Sequence, residues 1–212
     1  MKKIFVLLLA GLCFVPFADA AAKLQPGFSF GFKAGFHISD FSGRDVDSGF
    51  RSDTGLAAGG LIAYRLSNVL AVQAEALFTQ KGARIFTKLE GVLFNEWITL
   101  KYIEIPLLLK VFPPLDSSIR PVFYAGPYVA FKYSFKDKWE LGGQGSTEDI
   151  PSFRERELGF AGGFGVDFPV GKSMRTSAEI RYTRGLSTLS KNSEEKGYNA
   201  VFSILVQLAF GK

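Results

Sequence analysis

The sequence predicts an all-β protein, an eight-stranded antiparallel transmembrane up-and-down β-barrel. Three observations carry that prediction. Eight segments alternate apolar and other residues with a period of two, the pattern of a strand with one apolar face. The connections between them alternate long and short, as the two ends of a membrane barrel do. The faces opposite the apolar ones carry fourteen charged residues, too many to be buried as an apolar core.

Residues 1–20 form the first element. Lys2 and Lys3 precede the apolar run IFVLLLAGLCFVPF, and Ala18, Asp19 and Ala20 supply a small-x-small cleavage site. This reads as a secretory signal peptide, leaving 21–212 as the barrel domain. A membrane anchor needs about 20 apolar residues with stop-transfer flanks, whereas this run is shorter and Pro16 interrupts it. Cys13 follows Leu12 rather than a small residue, against a lipoprotein. Cleavage would remove the one cysteine of the sequence, so the exported chain is expected to hold no disulfide and no thiol chemistry. Loss of Lys2, Lys3 and Asp19 from a formal charge of +5 leaves about +4, spread along the chain without a polybasic run, so nucleic acid is not implied. No internal stretch reaches the length of a membrane helix. A chain of this kind in a membrane must cross it as a closed barrel, which satisfies every backbone group in lipid.

The first strand, FSFGFKAGFHI from Phe28, sets Phe28, Phe30, Phe32, Ala34, Phe36 and Ile38 against Ser29, Gly31, Lys33, Gly35 and His37. The second, Thr54 to Leu66, alternates Leu56, Ala58, Gly60, Ile62 and Tyr64 with Ala57, Gly59, Leu61, Ala63 and Arg65, and a tight turn at Ser67 and Asn68 follows. The third, from Val69 to about Ile85, shows Leu70, Val72, Ala74, Ala76 and Phe78 outward and Gln73, Glu75, Thr79 and Lys81 inward. The fourth, from about Trp97 to Phe112, sets Ile103, Ile105, Leu107, Leu109 and Val111 against Tyr102, Glu104, Pro106 and Lys110. A proline inside a strand predicts a bulge at Pro106.

The fifth strand, Ile119 to Phe135, sets Phe123, Ala125, Val129, Phe131 and Tyr133 against Arg120, Tyr124, Tyr128 and Lys132. The sixth, Phe153 to Val170, sets Leu158, Phe160, Phe164, Val166 and Phe168 against Glu155, Glu157, Gly159, Gly163, Gly165 and Asp167. The seventh, Met174 to Leu186, sets Ala178, Ile180 and Tyr182 against Arg175, Ser177, Glu179, Arg181 and Thr183. The eighth, YNAVFSILVQLAFGK from Tyr198, is apolar at every even position through Phe210. An unbroken apolar face ending on an aromatic resembles the closing strand of bacterial outer-membrane barrels, where it also serves as the assembly signal.

The predicted long connections are 39–53, 86–96, 136–152 and 187–197. A water-soluble eight-stranded barrel would turn its apolar face inward. Here the inward set includes Lys33, Arg65, Glu75, Lys81, Glu104, Lys110, Arg120, Asp167, Glu179 and Arg181, which form a candidate lumen charge network. Glu104 and Lys110 are too far apart to meet along one strand and are expected to pair with neighbouring strands. An eight-stranded barrel is only wide enough to be filled by its own side chains, so a structural network is expected rather than a pore.

YIEIPLLLKV from Tyr102, YAGPYVAF from Tyr124, the glycines Gly159, Gly162, Gly163 and Gly165, and RYTRGLS from Arg181 together resemble the PorT-like outer-membrane β-barrel family, over nearly the whole exported chain. The resemblance implies an eight-stranded barrel of OmpA/OmpX-like architecture in the bacterial outer membrane. It implies no catalytic set and no cofactor, and its namesake is associated with protein secretion. Both termini are then expected in the periplasm with the long loops outside, binding a protein partner.

Two further sets of residues are candidates. His37 and Ser39 form an H-x-S pair similar, in two residues only, to that of outer-membrane lipid A deacylases. Their parity sends them to the lumen or its rim, away from the lipid such an enzyme cleaves, so a non-enzymatic protein is expected. No second histidine or exported cysteine is present for a soft-metal site, and Asp45 with Asp47 reads as solvated loop. Arg84, Lys101, Arg154, Arg156 and Arg184 have outward parity at the loop-proximal ends of their strands. Charge on the lipid face is tolerated at the interface, so these five form a candidate collar for outer-membrane lipid, the phosphates of lipopolysaccharide in particular.

Overall fold

The computed structural model describes residues 26–43, 50–89, 92–115, 117, 119–141, 144–148, 155–170, 173–187 and 197–211. At 40–43, 50–53, 82–89, 92–99, 135–141, 144–148 and 197–198 only the backbone is described. The proposed leader, Asp45, Asp47 and Arg154 lie outside the described residues. No described helix is long and apolar enough to cross a membrane, which leaves strand crossing open.

Nine strands are found among the described residues: β1 (Gly27–Gly43), β2 (Phe50–Arg65), β3 (Leu70–Leu89), β4 (Val92–Val111), β5 (Arg120–Leu141), β6 (Gln144–Glu148), β7 (Arg156–Val170), β8 (Met174–Gly185) and β9 (Gly197–Gly211). All but β6 make the barrel, each antiparallel to its neighbours, and β1 pairs with β9 to close it. The ladder partners run from Phe28 through Tyr64, Val72, Leu109, Ala125, Gly162, Tyr182 and Phe202 back to β1 at Ile38. One circuit therefore climbs from position 28 to position 38, a shear of ten residues. That stagger tilts the strands to about 40° and leaves a bore that side chains can fill.

Alternation decides the two surfaces. Phe32 and Phe36 on β1 are 70% and 71% exposed while Lys33 between them is 1% exposed. The outer wall is a continuous apolar band and the lumen is polar, the arrangement of a membrane barrel. On β3 the band ends after Phe78, where exposed Gln80 stands opposite Lys101 on β4.

The strands are longer than the alternation predicted. β3 and β4 stay paired to Leu89 and Val92, so most of the expected loop 86–96 is ladder. The expected loop 136–152 contains the end of β5 and the whole of β6, paired from Asp137↔Glu148 to Leu141↔Gln144. Continued pairing satisfies backbone groups that a loop would leave to water. The bulge expected at Pro106 is absent: the β3–β4 register is the same at Ala74↔Leu107 and Leu77↔Glu104, so the proline drops ladder bonds without inserting a residue. The shift lies at Lys101 and Tyr102, which face Ser134 and Lys132 on β5.

Candidate functional site

The lumen holds the densest chemistry, in two clusters and a rim. At mid-height Arg181 on β8 reaches across to Glu75 on β3 with both terminal nitrogens, each 2.8 Å from a carboxylate oxygen. Lys33 on β1 bonds Glu75 at 2.6 Å and Glu179 at 2.7 Å, and Lys110 on β4 bonds Glu179 at 2.8 Å. Gln73 donates to Glu75 at 2.6 Å and to Gln207 at 3.1 Å, and accepts from Lys110 at 3.2 Å. Strands β3 and β8 do not pair, so the Arg181–Glu75 bonds span the bore and close it. Burying each charge costs several kcal/mol. Here the offset comes from ion pairs with good geometry and amide bonds to the remaining acceptors.

One ring organises this cluster. Tyr124 on β5 has its centroid 5.8 Å from the Lys33 ammonium, 5.4 Å from that of Lys110 and 5.3 Å from the Arg181 guanidinium, in range for cation–π attraction. It fits because the neighbouring position on β7 is Gly163. A Cβ there would stand 2.6 Å from the Tyr124 hydroxyl oxygen. Gly159 makes the same space for Tyr128.

Above it, toward the long hairpins, Lys81 lies 3.0 Å from Glu104 and 3.5 Å from Glu157, between the rings of Tyr102 and Tyr128 at 5.2 and 5.3 Å. Tyr128 and Asn199 donate to the two oxygens of Glu157. At the short-turn rim Arg175 bonds Asp167 at 2.8 Å, Ser177 donates to the same carboxylate at 3.1 Å, and Arg65 and Arg120 stand beside the Phe112 ring.

The inward candidates are thus divided among three levels. Lys33, Glu75, Lys110, Glu179 and Arg181 meet at mid-height, Lys81 and Glu104 above, and Arg65, Arg120 and Asp167 at the rim. Glu104 pairs with the neighbouring strand, but Lys110 does not: its carboxylate partner is on β8, three strands away around the barrel, because the shear brings those levels together. Glu155, read as inward, is exposed just before β7. Gln207, Asn199 and Phe112 were not assigned to the network. The first two sit at odd, inward positions of β9, and that parity was the available signal.

His37 and Ser39 are both buried and face the lumen, where His37 Nε2–H donates to the Gln80 carbonyl oxygen. Of the collar, Lys101 is half-buried on the outer side of β4, Arg156 is exposed with its guanidinium 5.8 Å from the Phe131 ring, and Arg184 is half-buried on β8 opposite Phe160 and Ala200. Arg84 stands opposite Arg51 and Trp97 on the backbone, its side chain outside the described residues.

No curated protein matches the chain. Similar solved structures include OprG from Pseudomonas aeruginosa, 15% identical over 89% of this chain and 97% of that one with a TM-score of 0.49. E. coli outer membrane protein W is 15% identical over 91% and 100%, at 0.47. Ail, the attachment invasion locus protein of Yersinia pestis, determined in complex with the heparin analogue sucrose octasulfate, is 16% identical over 88% and 100%, at 0.43. The sequence pattern of the outer membrane protein beta-barrel domain matches residues 17–191, most of the chain and every strand but the last. The chain belongs to that family, as an integral β-barrel of the bacterial outer membrane.

Proposed function

We propose that the protein is a non-enzymatic barrel that holds a wall of paired strands outside the cell to bind a partner, with both termini in the periplasm. The observation that carries this is strand length. A tilted strand crosses the apolar core with about 9–11 residues, whereas β3 and β4 have 20 each and β5 has 22. About half of each lies beyond the apolar band, and β6 widens that wall on the far side of β5. A lumen crossed by ion pairs supports display rather than passage. The inward burial of His37 and Ser39 supports the non-enzymatic reading over a lipid-modifying enzyme, which needs its site open to the bilayer.

The PorT-like resemblance offers a secretion-associated role as one reading of that partner, whose identity the resemblance does not fix. Outer-membrane lipid is the second ligand of this reading, with Arg84, Lys101, Arg154, Arg156 and Arg184 set for lipopolysaccharide phosphates. The test replaces the β3–β4 tip (86–95) and the β5–β6 segment (138–148) by short turns, one at a time, and compares proteins co-purified from outer membranes. A specific partner lost with one replacement supports the proposal. Identical co-purification from all three forms, each with an intact barrel, overturns it.

A further inference from the structure

The short-turn mouth of the barrel carries a charge imbalance with nothing beside it to offset it, whereas the inner clusters, three cations with two carboxylates and one cation with two, cancel each other. A cavity of about 70 Å³ opens there, lined by Ser29, Arg65, Phe112, Asp167, Arg175 and Gln207 among others. Arg120, directly across the ladder from Asp167, stands beside the Phe112 ring that lines the cavity. Among the described residues lining the cavity, Asp167 is the one carboxylate, and it already accepts from Arg175 at 2.8 Å and from Ser177 at 3.1 Å. Lys110 also reaches the cavity, but its ammonium is held by Glu179.

Two guanidinium groups are left over. Arg65 has its Cζ 4.7 Å from the centroid of the buried Phe112 ring, and Arg120 has its Cζ 5.7 Å from the same ring. Arg120 donates through Nη2 to the Asn68 carbonyl at 2.8 Å, a neutral partner. Arg65 Nη1 is buried with no hydrogen-bond partner among the described residues. Arg65 is repelled by both Arg120 and Arg175, with Asp167 alone attracting it. A buried unsatisfied donor on a charged group is destabilising until a partner meets it, and three guanidinium groups around one carboxylate leave the mouth at a formal +2. Phe112 thus holds both guanidinium groups beside one ring, and their remaining N–H groups can meet a planar or tetrahedral oxyanion, which Arg binds bidentately.

We propose that this mouth is a binding site for a compact oxyanion group, a phosphate or a carboxylate, held by Arg65 and Arg120 with Arg175 completing the ring of charge. The site lies at the opposite end of the barrel from the paired-strand wall and does not depend on what that wall binds. The experiment uses the full exported chain folded in a nonionic detergent and titrates it calorimetrically with inorganic phosphate and, separately, with acetate at constant ionic strength. Saturable binding of phosphate alone assigns the site to a phosphate-bearing molecule, and of acetate alone to a carboxylate-bearing one. Arg65→Gln and Arg120→Gln should each weaken the binding at least tenfold, while Lys88→Gln at the far end of β3 leaves it unchanged. Heat-modifiable migration on gels reports whether each variant is folded. Should the variants not fold, phenylglyoxal labelling of the wild type decides: the bound ion should slow modification of Arg65 and Arg120 about fivefold or more. Absence of saturable binding by either ion, binding that survives both substitutions, or unchanged labelling overturns the proposal.

Discussion

Glu75→Gln tests whether the mid-height ion cluster holds the barrel together. Glu75 accepts from Lys33 at 2.6 Å, from Arg181 twice at 2.8 Å and from Gln73 at 2.6 Å, with its side chain fully buried. Substitution leaves three cations, Lys33, Lys110 and Arg181, around the single carboxylate of Glu179. It also turns one acceptor oxygen into an NH2 aimed at donors. Breaking a buried pair from one side costs about 3–5 kcal/mol, because the surviving charge stays buried. At a urea m-value of about 2 kcal/mol/M, the unfolding midpoint falls by roughly 2 M. The assay is urea unfolding of the exported chain in phospholipid vesicles, followed by the shift between folded and unfolded bands on unboiled gels. Glu155→Gln, at an exposed position, serves as the control and should leave the midpoint in place. The paired change Glu75→Leu with Arg181→Leu should recover much of the loss, since replacing both partners removes the orphaned charge. A midpoint lowered by less than about 0.5 M in Glu75→Gln, roughly 1 kcal/mol, refutes the argument.

Other outcomes follow from single contacts. Gly163→Ala puts a Cβ 2.6 Å from the Tyr124 hydroxyl oxygen and closer still to the Ile180 carbonyl oxygen; it should cost about 1–3 kcal/mol as overpacking in the same urea assay, and Tyr124→Ala should relieve only the first contact. Truncation after Gln207 removes Leu208 and Phe210, the partners of Phe32 and Phe30 in the closing ladder; export should persist while the chain is lost from outer-membrane fractions. Replacing Arg154, Arg156 and Arg184 by Gln should lower co-purified lipopolysaccharide at least twofold with the barrel intact, and unchanged lipopolysaccharide removes the collar from the proposal.

Alternation made the two faces legible because a period of two has no ambiguity once a strand is located. Lys33 between Phe32 and Ala34, or Glu75 between Ala74 and Ala76, can take only one side when the other is apolar. The partners were not legible, because they depend on shear, which belongs to the ladder as a whole. Lys110 and Glu179 are 69 positions apart, and a stagger of ten residues brings them together where another stagger would not. The glycines of β7 carried a family resemblance in the sequence, but their use became visible only with Tyr124 and Tyr128 lying across Gly163 and Gly159. The ends of β3, β4 and β5 read as loops in the sequence because alternation marks a strand only within the apolar band. Beyond the membrane neither face has to be apolar, so pairing continues without the alternation that announces it.

The same shear explains why the lumen is ionic when an apolar filling of equal volume could be as stable. In a barrel with an apolar filling, slipping a strand by one residue exchanges one apolar face for another at little cost. Here a one-residue slip of β8 would move Glu179 and Arg181 to the lipid face together, and a slip of β1 would move Lys33. A Lys or Arg at the bilayer midplane costs about 2–4 kcal/mol, and each displaced residue also leaves its partner buried alone. Register is strongly specified where the two faces differ most. Arg181 bonded to Glu75 across the bore is therefore a lock on the ten-residue stagger as well as a bond. The stagger in turn sets the heights at which the neighbouring strands β2 through β6 stand against one another beyond the membrane, and so shapes the wall that a partner would meet.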